Sequence, residues 1–154
     1  MTLENQVCSL ELAKRLKELG VKQESLFWHV WDGERDYFLY HNEQVQVYEG
    51  KTNHILMRDG TIKTTGGQAL DKCSAFTVAE LLEGMPRHID LEDGTRSFLV
   101  LDKYRTDDSG TNYSCGYHPR NGKGFNAGFC DEKNFVEAVG LMKVYLIEHK
   151  LITL

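Results

Sequence analysis

The sequence predicts an α+β domain: one antiparallel sheet of about 4–6 strands, carrying an N-terminal helix, a short central helix and a long C-terminal helix. Three observations carry this. Residues 131–151, DEKNFVEAVGLMKVYLIEHKL, place Phe135, Ala138, Val139, Met142, Tyr145 and Leu146 at the i, i+3, i+4, i+7 spacing of a helix with one buried face. A second line, Val136, Val144, Ile147 and Leu151, widens that face until it needs a sheet to cover it. Finally, Asp93-Gly94 stands between two strand-like runs, the dipeptide that best suits a tight hairpin turn.

In chain order, residues 9–19 form the first helix, with Ser9 as N-cap, Glu11 in the first turn and Gly20 as the left-handed stop. Leu12, Leu16 and Leu19 line its inner face. Residues 25–31 (SLFWHVW) and 36–41 (DYFLYH), joined through Asp32-Gly33, read as an antiparallel hairpin with bulk on both faces. Residues 43–72 predict one or two short strands, interrupted at Thr64-Thr65-Gly66-Gly67-Gln68. That Gly pair lacks the remaining residues of a phosphate-cradling loop. In FTVAELL, Thr77 and Glu80 make a capping box and Phe76 with Leu81 a hydrophobic staple, so a short helix starts there and stops at Gly84 and Pro86. Strands at 89–92 and 95–101 flank Asp93-Gly94; Phe98 and Val100 point one way and Leu99 and Leu101 the other, which predicts a central strand covered on both sides. From 105 to 129 the chain turns to Gly, Asn, Asp, Ser, Tyr and Arg. Two readings fit: a long recognition loop crossed by a strand near 113–117, or a hairpin with a mobile tip.

The totals are those of one domain spanning 1–154: 154 residues, 41 % hydrophobic and 27 % charged, with a net charge of −5 that disfavours duplex nucleic acid as a partner. No apolar run reaches membrane-span length and the first residues lack a signal-peptide layout, so the expectation is a cytosolic chain with no membrane partner. Cys8, Cys73, Cys115 and Cys130 stand far apart and are expected to be free thiols.

For chemistry, the compact constellation is Cys115 and His118 with Asp107 or Asp108, a nucleophile, base and orienting acid by residue type alone. Cys115, His118 and Cys130, with Cys73 or His88 as a fourth, are the candidate zinc ligands. A structural site would call for two short-spaced pairs, and only one is present. No esterase elbow, zincin helix, kinase or dinucleotide signature occurs, and no cofactor is expected.

The segments VCSLELAKRLKELGVKQESLFWHVW, SAFTVAELLEGMP and AVGLMKVYLIEHKLI, in that order, resemble a group of small uncharacterised proteins of bacteriophage and prophage genomes. The resemblance implies an origin and not a reaction. The chain departs from the group by carrying more material at 43–72 and 105–130. The leading expectation is therefore a non-enzymatic phage protein of the host cytoplasm that binds and inhibits a host factor, for example a defence protein. Arg105, Tyr113, Tyr117, His118, Arg120 and Lys123 would form its contact surface. One alternative is a nucleotide signal held against Arg105, Arg120, Lys123 and an aromatic ring, or cleaved with help from His118; another is a zinc-dependent hydrolase. A homodimer would use the two-faced hairpin at 25–41.

Overall fold

The computed structural model describes residues 5–31, 37–41, 45–48, 52–56, 62–66, 72–106, 110–120 and 127–154. In chain order the elements are α1 (Leu10–Glu18), β1 (Phe27–Trp31), β2 (Tyr37–His41), β3 (Val45–Tyr48), β4 (Thr52–Leu56), β5 (Ile62–Gly66), β6 (Lys72–Ser74), α2 (Val78–Leu82), β7 (His88–Asp90), β8 (Arg96–Thr106), β9 (Gly110–Pro119), β10 (Ala127–Glu132) and α3 (Phe135–Glu148). The class is α+β, with the N-terminal, short central and long C-terminal helices in their expected order. Among the described residues the strands form three antiparallel sheets and not one: β2-β1-β6, β3-β4-β5 and β10-β9-β8-β7. The reason lies in 43–72, where three strands pair in a meander of their own, including the Ile62–Gly66 segment, whose Thr-Thr-Gly run reads in the sequence as a strand breaker.

Local signals set the helix ends. The Ser9 hydroxyl accepts from the Leu12 amide, and Gly20 takes a φ of +87° just beyond α1. Thr77 and Glu80 form both halves of the capping box of α2, and Glu80 also accepts from Leu26 N and Ser25 Oγ. One carboxylate thus ties the approach to β1 onto the start of α2. Helix α3 begins at Phe135 with Asn134 as N-cap, later than the expected 131. Residues 127–132 are instead held by β9, in the register Cys130↔Cys115 and Glu132↔Tyr113.

The core is the layer between α3 and the sheet. Leu12, Ala13 and Leu16 of α1, Leu81 of α2, Cys115 and Tyr117 of β9 and Val136, Ala138, Val139, Met142, Val144 and Leu146 of α3 are all buried there. Each large aliphatic side chain so buried contributes about 1.5–3 kcal/mol. Gly140 lets α1 approach α3: a Cβ there would run into Leu12 Cδ2 and lie 3.2 Å from Leu12 Cγ. Lys143, also buried, donates from Nζ to the Glu83 carbonyl at 2.8 Å and the Glu80 carbonyl at 3.4 Å. It places an ammonium at the C-terminal end of α2, where the orphan carbonyls and the helix dipole favour a cation.

In the hairpin at 25–41, Trp28 and Val30 face inward while Leu26 stays 57 % exposed. The turn through Asp32-Gly33 lies outside the described residues.

Candidate docking edge on strand β8

The four-stranded sheet is built on the β8–β9 ladder, which runs without a register shift from Ser97↔Pro119 to Thr106↔Gly110. Much of the supposed loop at 105–129 is therefore regular strand, with 107–109 and 121–126 outside the described residues. On the other side of β8, β7 is only three residues long. It pairs with Arg96, Ser97 and Phe98, and one further bond runs from Leu99 N to the Arg87 carbonyl. Pro86 lies just before this stretch and the β7–β8 hairpin turns at Asp93-Gly94, where Gly94 has a φ of +80°. Hence residues 100–106 of β8 have no strand partner on that side among the described residues.

The expectation of a central strand covered on both sides thus holds at Arg96–Phe98, between β7 and β9, and fails from Val100 onward. Val100 and Leu101 are each 39 % exposed, and Asp102, Lys103 and Arg105 are exposed as well. An isolated run of apolar residues does not reveal whether its neighbour is long enough to cover it.

The direction of the free backbone groups follows from the alternation of an antiparallel ladder. Since Leu99 N–H points toward β7, the N–H and C=O groups of Leu101, Lys103 and Arg105 point to the same open side, while those of Val100, Asp102 and Tyr104 bond β9. One of the outward donors is held locally: Lys103 N–H donates to Asp102 Oδ1 at 2.8 Å. The side chains of Leu101, Lys103 and Arg105 share the face of Cys115, Tyr113 and Thr111, their partners on β9. Lys103 Nζ stands 5.6 Å from the centroid of the Tyr113 ring, which packs at 5.6 Å on Phe135.

The residues expected to form the contact surface divide. Arg105 and Tyr113 lie on this face near the open edge. Tyr117 does not belong to any displayed surface: it is fully buried, its hydroxyl donates to the Pro86 carbonyl at 2.6 Å, and burial pushes its phenol up to about 12. His118 is half-buried on the opposite face of the sheet, across from Phe98, whose ring is 5.9 Å from that of His88. Arg120 is exposed just past β9. At roughly 3.4 Å per residue it lies about 30 Å along the strand from Thr111, the partner of Arg105. Arg105 and Arg120 therefore cannot hold one small ligand between them. Lys123, Asp107 and Asp108 lie outside the described residues. Val100, Leu101, Asp102 and Lys103 were missed as site residues, although the charged pair after an apolar run is a usual mark of a managed sheet edge.

The zinc arrangement is overturned by the strand period. Cys115 and His118, three apart on β9, point to opposite faces of the sheet. Cys115 and Cys130 are direct cross-strand partners, and burial pushes their thiols up to about 12 and about 11. Among the described residues, no three His, Cys, Asp or Glu side chains gather as a metal ion would require.

Beside the sheet, Asn5, Tyr113, Lys133, Asn134 and Phe135 line an open cleft of about 420 Å³. No helix among the described residues is long and apolar enough to cross a membrane. The fold and site thus define an α+β protein with a half-open edge strand. Comparison with protein families, with curated proteins and with solved structures finds no match to this chain.

Proposed function

We propose that this chain is a non-enzymatic binding protein that docks a protein partner on the open edge of β8, and that in its phage context the partner is a host factor, held stoichiometrically in the host cytoplasm. The observation that carries the reading is the outer side of residues 100–106, which has no strand partner among the described residues and begins with exposed Val100 and Leu101. Free N–H and C=O groups in a row are a template for another strand, and apolar side chains beside them supply the burial that an added strand needs. The phage context rests on the sequence resemblance alone.

The test is recovery of a partner from infected-host lysate in a 1:1 complex, repeated with Leu101→Pro, which removes an outward donor and leaves the β8–β9 ladder bonds in place. Loss of capture with the proline variant supports edge docking. Turnover of a host molecule at sub-stoichiometric amounts of the protein sinks it.

The cleft of about 420 Å³ favours a second reading, a small aromatic anion such as a nucleotide. Tyr113 and Phe135 offer ring surface, and Lys133 lines the cleft beside them, with Lys103 over Tyr113. These replace Arg120 and Lys123 of the sequence-based expectation. A nucleotide at 100 times its dissociation constant would stabilise the fold by about 2.7 kcal/mol, which a thermal-shift screen reads directly.

A further inference from the structure

We infer that the strand accepted by β8 is not a second copy of this chain but an extended segment of a different protein bearing acidic residues two apart, Glu-x-Glu or Asp-x-Asp, next to a β-branched pair. This rests on the edge-docking reading above and specifies the occupant.

The argument against self-pairing is one of register. Side chains directly opposite each other in an antiparallel pair point to the same face of the sheet. A two-fold axis between identical strands can therefore pair only residues that already share a face, so odd positions meet odd and even meet even. Within the open stretch 100–106, the registers that engage at least five residues are three. They set Asp102 against Asp102, Lys103 against Lys103, or Lys103 against Arg105. Each opposes like charges at its centre or, in the third, on either side of it, which destabilises a pair. Shorter registers centred on Val100 or Leu101 drive the second strand into β7, which already occupies the edge up to Leu99.

The same positions define the partner. Lys103 and Arg105 are exposed on one face of β8, two residues apart, and Leu101 precedes them on that face. An antiparallel strand whose residues fall opposite Arg105, Lys103 and Leu101 finds two cations and then an apolar neighbour, with Val100 exposed on the other face. Acidic side chains at the first two positions form cross-strand ion pairs, and β-branched residues at the end cover Leu101 and Val100. Asp102 has the reverse effect. Its carboxylate occupies the Lys103 N–H, the middle donor of the edge, and must leave it before a ladder can close. Asp102 thus guards the edge against any strand that does not repay the lost bond with its own carbonyl and its own acids.

The experiment uses the full chain and capped hexapeptides. Glu-Thr-Glu-Thr-Val-Val is expected to bind at least tenfold more tightly than Lys-Thr-Lys-Thr-Val-Val or its Gln counterpart, by fluorescence anisotropy at low salt. Leu101→Pro weakens the acidic peptide at least tenfold, Asp102→Ala tightens it several-fold, and the double variant Lys103→Glu/Arg105→Glu, which leaves every ladder bond in place, reverses the preference to the basic peptide. Equal binding of all three peptides, or no reversal in the double variant, overturns the inference. So does a wild-type dimer in sedimentation that Leu101→Pro dissociates. If the proline variant still captures the host partner, the docking reading itself fails. If capture is lost but the peptides are not discriminated, that reading stands and only the acidic partner is rejected.

Discussion

Tyr117 donates its phenolic proton to the carbonyl oxygen of Pro86 at 2.6 Å, joining the C-terminal part of β9 to the turn that separates α2 from β7. That bond anchors the start of β7, and the shortness of β7 is what leaves the far half of β8 uncovered. Tyr117→Phe keeps the buried ring but strands the Pro86 oxygen. The expected cost is about 1–2 kcal/mol, read as a lower urea midpoint at unchanged slope. No loss would mean that the turn is held by other contacts.

The two sides of β8 should respond differently to proline. Val100 N–H faces β9, so Val100→Pro removes a ladder bond opposite Gly116 and should cost about 1–3 kcal/mol or more. Leu101 N–H faces the open side, and Leu101→Pro should stay within about 1 kcal/mol of the parent. Chemical denaturation of the two variants side by side checks the assignment of inward and outward donors. Equal destabilisation would contradict it.

Gly140→Ala sets helix propensity against packing. Alanine gains up to about 1 kcal/mol in a helix interior. The added methyl, however, meets Leu12 Cδ2 and Cγ and approaches Leu81 Cδ1 at 3.4 Å, in a core where Leu12 is only 3 % exposed and cannot swing out. Overpacking of this kind costs about 1–3 kcal/mol, so a net loss and a Tm lower by a few degrees are expected in calorimetry.

Acid should weaken the fold through His29. Burial lowers its pKa below the ordinary 6.5, assisted by Lys14 and opposed by the Cys8 carbonyl, which accepts from Nε2 at 2.9 Å, and by Glu137. The unfolded chain therefore takes up the proton first as pH falls. The contribution of His29 is complete above about pH 6.5 and is lost progressively below it. Urea midpoints measured from pH 7.5 down to 5 should fall, and His29→Gln should flatten that part of the profile.

The thiols of Cys8, Cys115 and Cys130 are raised to about 12, about 12 and about 11, first by burial. With so little thiolate at pH 8 they should resist alkylation in the folded chain and react promptly in denaturant. Mass spectrometry after a short iodoacetamide pulse distinguishes the two states. Rapid labelling of the native protein at Cys115 would contradict its burial.

Local rules made a good part of this molecule readable from its residues. The Ser9 and Thr77 caps, the Gly20 stop, the Asp93-Gly94 hairpin and the helical period after Phe135 each depend on neighbours within about four positions, where backbone sterics and side-chain reach decide the outcome. Tertiary structure alone decided three things. It divided the strands among three sheets and drew Tyr117 into the core. It also let β7 begin only at His88, exposing Val100 and Leu101 in a run that reads as interior. The physical reason is common to all three: burial of a strand depends on how far its neighbours extend, and that length is set by residues tens of positions away.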